Sequence, residues 1–214
     1  MGKLNILINL ENGSKAWGMA SKDSDYDVRF VYYRPLEDYI QIHKPAEVIQ
    51  LAFDKNLQPC PIQGSLIDLS GFDIFKYISM LSVSNPTAIE WLTTDILYYG
   101  KQNTVFKKFA KENFSPISLY HHYKSMCRNN YLKYLKTSSE VTYKKYLYTY
   151  RGLINAKWVV HKNSIPPIYF LDAINGMDNI LQSHITRKLQ FIIKEKSKGN
   201  EKNVVKNIPL MDNY

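Results

Sequence analysis

The apolar residues of this chain change their spacing once, near Phe72. Before that point they form short runs bounded by turn residues, which predict strands over 4–10, 26–33, 48–53 and 65–69. After it the spacing is helical, which predicts helices over 72–83, 86–98, 101–113, 116–137, 140–162 and 177–197. Strands followed by helices predict an α+β fold, with a small sheet and a mostly helical C-terminal part.

The charge divides the chain in a similar way. Residues 1–100 contain 8 Lys and Arg against 12 Asp and Glu (8 − 12 = −4), and residues 101–214 contain 20 against 7 (20 − 7 = +13). We therefore predict two regions, an acidic one over 1–100 and a basic helical one over 101–214. The acidic region suits metal ions and the basic one suits phosphates, although lysine-rich helices with solvated surfaces explain the second pattern equally well.

Length and composition exclude several classes of protein. A chain of 214 residues with 45% hydrophobic and 22% charged residues is too apolar for a disordered protein. Its longest uncharged run, 77–89, is too short to span a bilayer, and the N-terminus lacks a secretory leader. Cys60 and Cys127 lack the spacing of a zinc site. We expect a cytoplasmic protein without a membrane partner.

The stretch from Gly13 to Arg29 contains the residues that indicate chemistry. Gly13-Ser14 follows a predicted strand and opens a helical turn, where backbone N–H groups and a hydroxyl can hold a polyphosphate. Asp25 and Asp27 are two residues apart at the start of the next strand, so both carboxylates leave the same face. Paired carboxylates with oxygen-only ligation favour Mg²⁺ or Mn²⁺.

The order of these features matters more than each one alone. An Asp-x-Asp pair in a polar turn is usually solvated, but here it follows a strand, a Gly-Ser turn and a helical turn, and an apolar strand continues after it. Arg29 lies on the same strand face as Asp25 and Asp27 by the two-residue period. It either pairs with a carboxylate or reaches a phosphate, and the pattern does not decide between them.

At this point the sequence resembles the DNA polymerase β-like nucleotidyltransferase superfamily. More narrowly, it is similar to the RlaP or YcgL-like family, which is associated with RNA repair. The matching segments are residues 13–29, 68–73, 85–92 and 148–158, and Pro166-Pro167. The resemblance implies a small mixed β-sheet nucleotidyltransferase core, followed by the basic helical region.

The same resemblance implies further site residues. Asp68 matches the third catalytic carboxylate, which would join Asp25 and Asp27 as a metal ligand; its alternative role is a cap or turn residue. Nearby Asp73 is predicted to cap a helix instead. Triphosphate contacts are expected from five residues, in the order of the chain: Gly13, Ser14, Lys15 (an Arg in the family), Arg29 and Arg151.

The function implied is transfer of a nucleoside monophosphate from a nucleoside triphosphate, with ATP preferred, to a hydroxyl group. Mg²⁺ or Mn²⁺ would be the cofactor, and an RNA end is the favoured acceptor because the C-terminal half is basic. Two alternatives stay open. One is AMP transfer to a protein acceptor, such as a toxin partner, and the other is an RNA-binding module without catalysis.

Overall fold

The computed structural model of the chain describes residues 4–102, 104–136 and 140–199, and the backbone of residues 204–206. The strands are β1 (Asn5–Asn12), β2 (Tyr26–Tyr33), β3 (Val48–Phe53), β4 (Ile67–Asp73), β5 (Leu97–Gly100), β6 (Glu140–Thr142) and β7 (Val204–Lys206). The helices are α1 (Gly13–Ala16), α2 (Leu36–Tyr39), α3 (Ile74–Ser82), α4 (Pro86–Thr93), α5 (Thr104–Glu112), α6 (Pro116–Asn130), α7 (Tyr143–Lys162), α8 (Phe170–Asn175) and α9 (Ser183–Ser197). A π-helical turn, Tyr131–Leu135, directly follows α6.

The first compact unit contains a five-stranded mixed sheet in the order β3-β4-β2-β1-β5. β2 and β4 are parallel, and the other neighbours are antiparallel. Helices α3 and α4 pack against the sheet, where Trp91 stacks its ring on Phe72 and Tyr77 at centroid distances of 4.7 and 5.7 Å. This confirms the α+β fold and its mixed sheet.

The second compact unit is mostly helical, with a short antiparallel pair of β6 and β7. Helix α7 supplies much of its core, including the fully buried Leu147 and Ile154, and packs against α6, α8 and α9. Gly152 permits the close approach of α6 and α7, because a Cβ atom there would lie 2.9 Å from the backbone nitrogen of Cys127.

The division between the units falls between Phe114 and Ser115, and residues 17–24 belong to the second unit. The predicted boundary was at residue 100. Helix α5 extends the first unit because it packs on α3 and α4, with Phe106 edge-on to Tyr77 at 5.5 Å.

Residues 17–24 are fixed in the second unit by backbone and side-chain contacts. The Trp17 carbonyl accepts a hydrogen bond from the Phe170 amide at 3.0 Å, and the Met19 carbonyl accepts one from the buried Lys196 ammonium at 2.5 Å. The segment that joins Gly13-Ser14 to Asp25 along the chain is therefore held by the helical unit.

Local signals predicted several element ends correctly. The bounds of β2 and β3 are those predicted, and Asp73 caps α3 by accepting a hydrogen bond from the Phe75 amide at 3.0 Å, as expected. Asn85 and Ser115 cap α4 and α6, each with a proline at the first helical position.

Four expected elements differ from the structure. The helix expected over 86–98 ends at Thr93 and is followed by β5, and the one expected over 140–162 begins with β6. Pairing with distant segments, β1 and β7, produces these two strands. The strand expected over 65–69 is shifted to Ile67–Asp73 by pairing with β2. The helix expected over 177–197 begins only at Ser183, as α9, and α8 (Phe170–Asn175) lies where no helix is predicted.

Within the described residues, no helix combines the length and the apolar character that a membrane span requires.

Candidate active site

The strands β2 and β4 bring two of the predicted carboxylates together. Asp27 and Asp68 are directly paired in the parallel register, so their side chains leave the same face of the sheet. Both are partly shielded, since their side chains are 29% and 16% exposed. Two aspartates that are 41 positions apart in sequence thus become neighbours because β2 and β4 are adjacent and parallel.

Arg29 joins these two carboxylates. One of its terminal nitrogens donates to Asp68 Oδ2 at 2.9 Å and to Asp27 Oδ1 at 3.3 Å. The other donates to the backbone carbonyls of Val28 and Asp68, each at 2.9 Å. The structure therefore shows Arg29 paired with carboxylates, one of the two roles that the sequence left open.

The turn at Gly13 lies against Asp27. Gly13 has φ +64°, a backbone conformation that favours glycine, and any Cβ atom there would overlap the Asp27 carboxylate. Ser14 is buried beside it, within α1. The Gly-Ser pair and the second aspartate of the Asp-x-Asp motif are therefore in direct contact, as the order of the motif suggested.

Lys15 and Asp25 are also close to each other, but through the backbone of Asp25. The Lys15 ammonium donates to the Asp25 carbonyl at 3.2 Å and lies 3.8 Å from the centroid of the Tyr26 ring. The Asp25 side chain is exposed, just before β2 begins. Lys15 thus supplies a positive charge near the start of the strand that carries the aspartates.

Sequence reasoning missed Glu11, a fully buried residue of β1. Its Oε1 accepts the backbone N–H of Asp27 at 3.0 Å, and its Oε2 accepts the Tyr98 hydroxyl at 2.5 Å. Burial raises the pKa of the Glu11 carboxyl, and burial together with Glu11 raises the pKa of Tyr98. A lone carboxylate in the otherwise uncharged strand Asn5–Asn12 was the signal that could have identified it.

The donor set of this face fits a hard divalent cation in part. Carboxylate oxygens are the ligands that Mg²⁺ prefers, and Asp68 Oδ1 is buried without a hydrogen-bond partner in the structure. Asp27 and Asp68 are the two carboxylates that fit. However, the described part of the chain contains no group of three Asp, Glu, His or Cys side chains that could hold a metal, so the exposed Asp25 does not complete a three-carboxylate cluster with them.

Arg151, the predicted site residue that comes last in the sequence, lies in the second unit on α7. It is 3% exposed, and its guanidinium carbon lies 3.8 Å from the centroid of the Trp17 ring. Trp17 also contacts Tyr148 edge-on at 5.5 Å. In this structure Arg151 is a buried cation stacked on an aromatic ring.

Comparisons with known proteins agree with this geometry. The chain is 34% identical over 198 residues to the uncharacterized protein YcgL of Bacillus subtilis (strain 168), an alignment that covers 92% of this chain and 71% of the relative. A family model, RlaP, described as RNA repair pathway DNA polymerase beta family, matches residues 2–214. By both comparisons, the chain belongs to the RlaP family of polymerase beta-like proteins associated with RNA repair.

Proposed function

We propose that this protein is a divalent-metal-dependent nucleotidyltransferase that moves a nucleoside monophosphate from a nucleoside triphosphate, preferably ATP, to a hydroxyl group at an RNA end. The observation that carries the proposal is the pairing of Asp27 with Asp68 beside the Gly13 turn. Such a face combines carboxylates that can bind a metal ion with a backbone turn beside them. The turn is close enough to the carboxylates to contact the phosphates of the same triphosphate. Membership in a polymerase beta-like family supports the same activity.

Asp27 and Asp68 would hold Mg²⁺ or Mn²⁺, with Asp25 beside them along the chain. The cation would supply charge neutralisation for the triphosphate and acidify the attacking hydroxyl. Arg29 now pairs with one oxygen of each carboxylate, so a bound cation would share the two carboxylates with it or displace it. Arg29 and Lys15 are then the nearest cations that can compensate the charge of the phosphates.

The reaction is an in-line displacement. The oxygen of the acceptor hydroxyl forms a bond to the α-phosphorus, and the bond from that phosphorus to the oxygen bridging to the β-phosphorus breaks. Pyrophosphate leaves with the electron pair of that bond. Asp68 accepts the proton of the attacking hydroxyl.

The test is incubation with α-labelled ATP, Mg²⁺ or Mn²⁺ and total RNA, followed by measurement of label in the RNA. We expect Asp27→Asn and Asp68→Asn each to lower transfer at least about 100-fold, as removal of a catalytic carboxylate does. Asp73→Asn is the matched control, because Asp73 ends the same strand as Asp68 but caps α3 and accepts the Tyr39 hydroxyl at 2.8 Å. Equal transfer by all three variants would contradict the proposal.

One observation favours a second candidate, an RNA-binding module without catalysis. Arg29 already neutralises Asp27 and Asp68, which relieves the repulsion that a cation would otherwise relieve. If that candidate is correct, none of the four α-labelled nucleoside triphosphates should label RNA or protein. RNA binding should persist in the Asp27→Asn variant. Label found in protein and not in RNA would instead identify a protein acceptor.

A further inference from the structure

A cavity of about 640 Å³ opens between α6 and α7 in the second unit. The π-helical turn Tyr131–Leu135 contributes to its wall, and the whole lining comes from residues 120–161. Its volume falls within the range of roughly 300–1,000 Å³ that is common for ligand pockets. Five of its lining residues lie within residues 148–158, a segment that carries the family resemblance, but the proposed function assigns none of them a role.

The charge of the cavity is positive. Among the residues that the structure describes, Lys124, Arg128 and Lys157 line it, and no Asp or Glu does. The surrounding chain has the same bias, since residues 113–139 and 141–171 contain no acidic residue at all. The described lining therefore offers cations and no carboxylate to a ligand, which favours an anion.

The wall between these cations is apolar and aromatic. Leu153 provides aliphatic surface, with the buried Leu135 and Ala156 behind it, and Tyr120 and Tyr131 provide the more accessible aromatic rings. Tyrosine rings offer flat faces on which nucleic-acid bases can stack, and cations at the rim can contact the phosphates between bases. A ligand that is both flat and anionic matches this combination better than a lipid or an acidic peptide does.

We propose that this cavity, the groove between α6 and α7, binds single-stranded RNA, with bases against the apolar wall and phosphates at Lys124, Arg128 and Lys157. The inference rests on the proposed function, for which it supplies a binding site for the acceptor strand. A cavity of this size accepts unstacked nucleotides but not a duplex, whose bases are enclosed.

The experiment is fluorescence anisotropy with a labelled single-stranded RNA of roughly 12 nucleotides, a length within the usual range of single-strand sites. It is done in EDTA, so that binding is measured without metal or catalysis. The test variant is Lys124→Gln/Arg128→Gln/Lys157→Gln. Its control is Arg187→Gln/Lys188→Gln/Lys194→Gln, which removes the same charge from α9, outside the groove.

We expect the groove variant to reduce the slope of log affinity against log salt by about 2, since each lost phosphate contact removes about 0.7. The α9 variant should keep the wild-type slope.

A second pair of variants tests the location without removing cations. Val160 lines the groove and is 61% exposed, whereas Ile117 is 71% exposed on α6 outside it. Val160→Glu should weaken RNA binding about tenfold, and Ile117→Glu should not.

The outcomes separate this inference from the proposed function. Loss of RNA binding in the groove variants, with binding retained by Asp27→Asn, supports the inference whether or not nucleotidyl transfer is detected. If the wild-type protein, whose carboxylates are intact, transfers no label to RNA, that result counts against the proposed function and not against this inference. Absence of RNA binding by the wild-type chain, or an equal effect of the two triple variants with none from Val160→Glu, overturns the inference. Transfer to a protein acceptor that depends on the groove, without RNA binding, also overturns it.

Discussion

Asp27 and Asp68 occupy directly opposed positions on the parallel strands β2 and β4, and a single arginine, Arg29, donates a hydrogen bond to each. The fold therefore places two carboxylates together and supplies its own cation to neutralise them. If a divalent ion binds here, as proposed, it would interact with carboxylates that Arg29 already neutralises. The response of the protein to Mg²⁺ would then depend on Arg29.

We first predict that Arg29→Ala loses about 3 kcal/mol of unfolding free energy in EDTA, because it leaves two shielded carboxylates without their partner. Saturating Mg²⁺ should restore a large part of this loss, since a ligand at 100 times its Kd stabilises by about 2.7 kcal/mol. The wild-type chain should gain less, because Arg29 already neutralises the two carboxylates. Thermal unfolding with and without Mg²⁺ measures both effects.

Arg34→Ala is the control for this prediction. Arg34 follows β2 but donates to the Ala46 carbonyl and the Tyr32 hydroxyl, and not to a carboxylate. It should lose stability without gaining a response to Mg²⁺. A response of Arg29→Ala no larger than that of Arg34→Ala would mean that Asp27 and Asp68 do not bind the ion.

The second prediction concerns the turn at Gly13. Gly13→Ala introduces a side chain at φ +64° and drives it into the Asp27 carboxylate. Gly64→Ala is the matched control, since Gly64 has φ +91° and open space around the added Cβ atom. The control should lose about 1–2 kcal/mol from the backbone alone, and Gly13→Ala should lose about 1–3 kcal/mol more by overpacking.

Urea unfolding of the two glycine variants measures this difference. If Asp27 acts in catalysis, Gly13→Ala should also reduce transfer of label to RNA, whereas Gly64→Ala should not. Equal stability of the two variants would show that the Gly13 turn tolerates a shift of Asp27.

The parts of the fold that the sequence predicted are those set by local signals. The apolar run that forms β2 and the capping residues of α3, α4 and α6 depend on residues close together in the chain. The missed strands β5 and β6 depend on partners far away, and their short sequences carry no period of their own. Non-local pairing therefore accounts for most of the errors in the elements.

The same distinction applies to the candidate site. The Gly-Ser turn and Asp27 were found together because strand, turn and strand follow in one stretch of chain. Glu11 was missed because its role arises from contacts with Asp27 and Tyr98 that only the sheet creates. The double pairing of Arg29 likewise needs the register of β2 with β4, which the sequence alone does not specify.

The third prediction is a dependence on pH that comes from Glu11. Burial raises the pKa of Glu11 above its ordinary value of 4.5, so the folded state holds the proton more tightly than the unfolded chain does. Stability from this residue is present below that value and is lost as the pH rises through the raised pKa. The unfolding free energy of Glu11→Gln relative to wild type should therefore increase as the pH rises from 4.5 toward neutrality.

Urea unfolding at a series of pH values tests this sign. Glu11→Gln keeps an oxygen for the Asp27 amide, so the comparison isolates the charge. The Tyr98→Phe variant should lose more stability than wild type over the same rise in pH. The reason is that the Tyr98 hydroxyl lowers the pKa of Glu11 by donating a hydrogen bond to its carboxylate. A pH-independent difference between wild type and Glu11→Gln would contradict the prediction.

The last prediction decides between two roles for Arg151. The sequence suggested a contact with the triphosphate, whereas the structure stacks its guanidinium on Trp17 at 3.8 Å, with 3% exposure. If stacking is its role, a double-mutant cycle of Arg151→Met and Trp17→Leu should give a coupling of about 2 kcal/mol, as expected for a desolvated cation–π pair. The exposed Lys162, 5.9 Å from the Trp158 ring, should give at most about 1 kcal/mol in the same kind of cycle. The KM for ATP of Arg151→Lys should then stay close to the wild-type value. A raised KM with no coupling to Trp17 would instead support the triphosphate contact. Lysine keeps the charge of Arg151 but cannot make its bidentate hydrogen bonds to a phosphate.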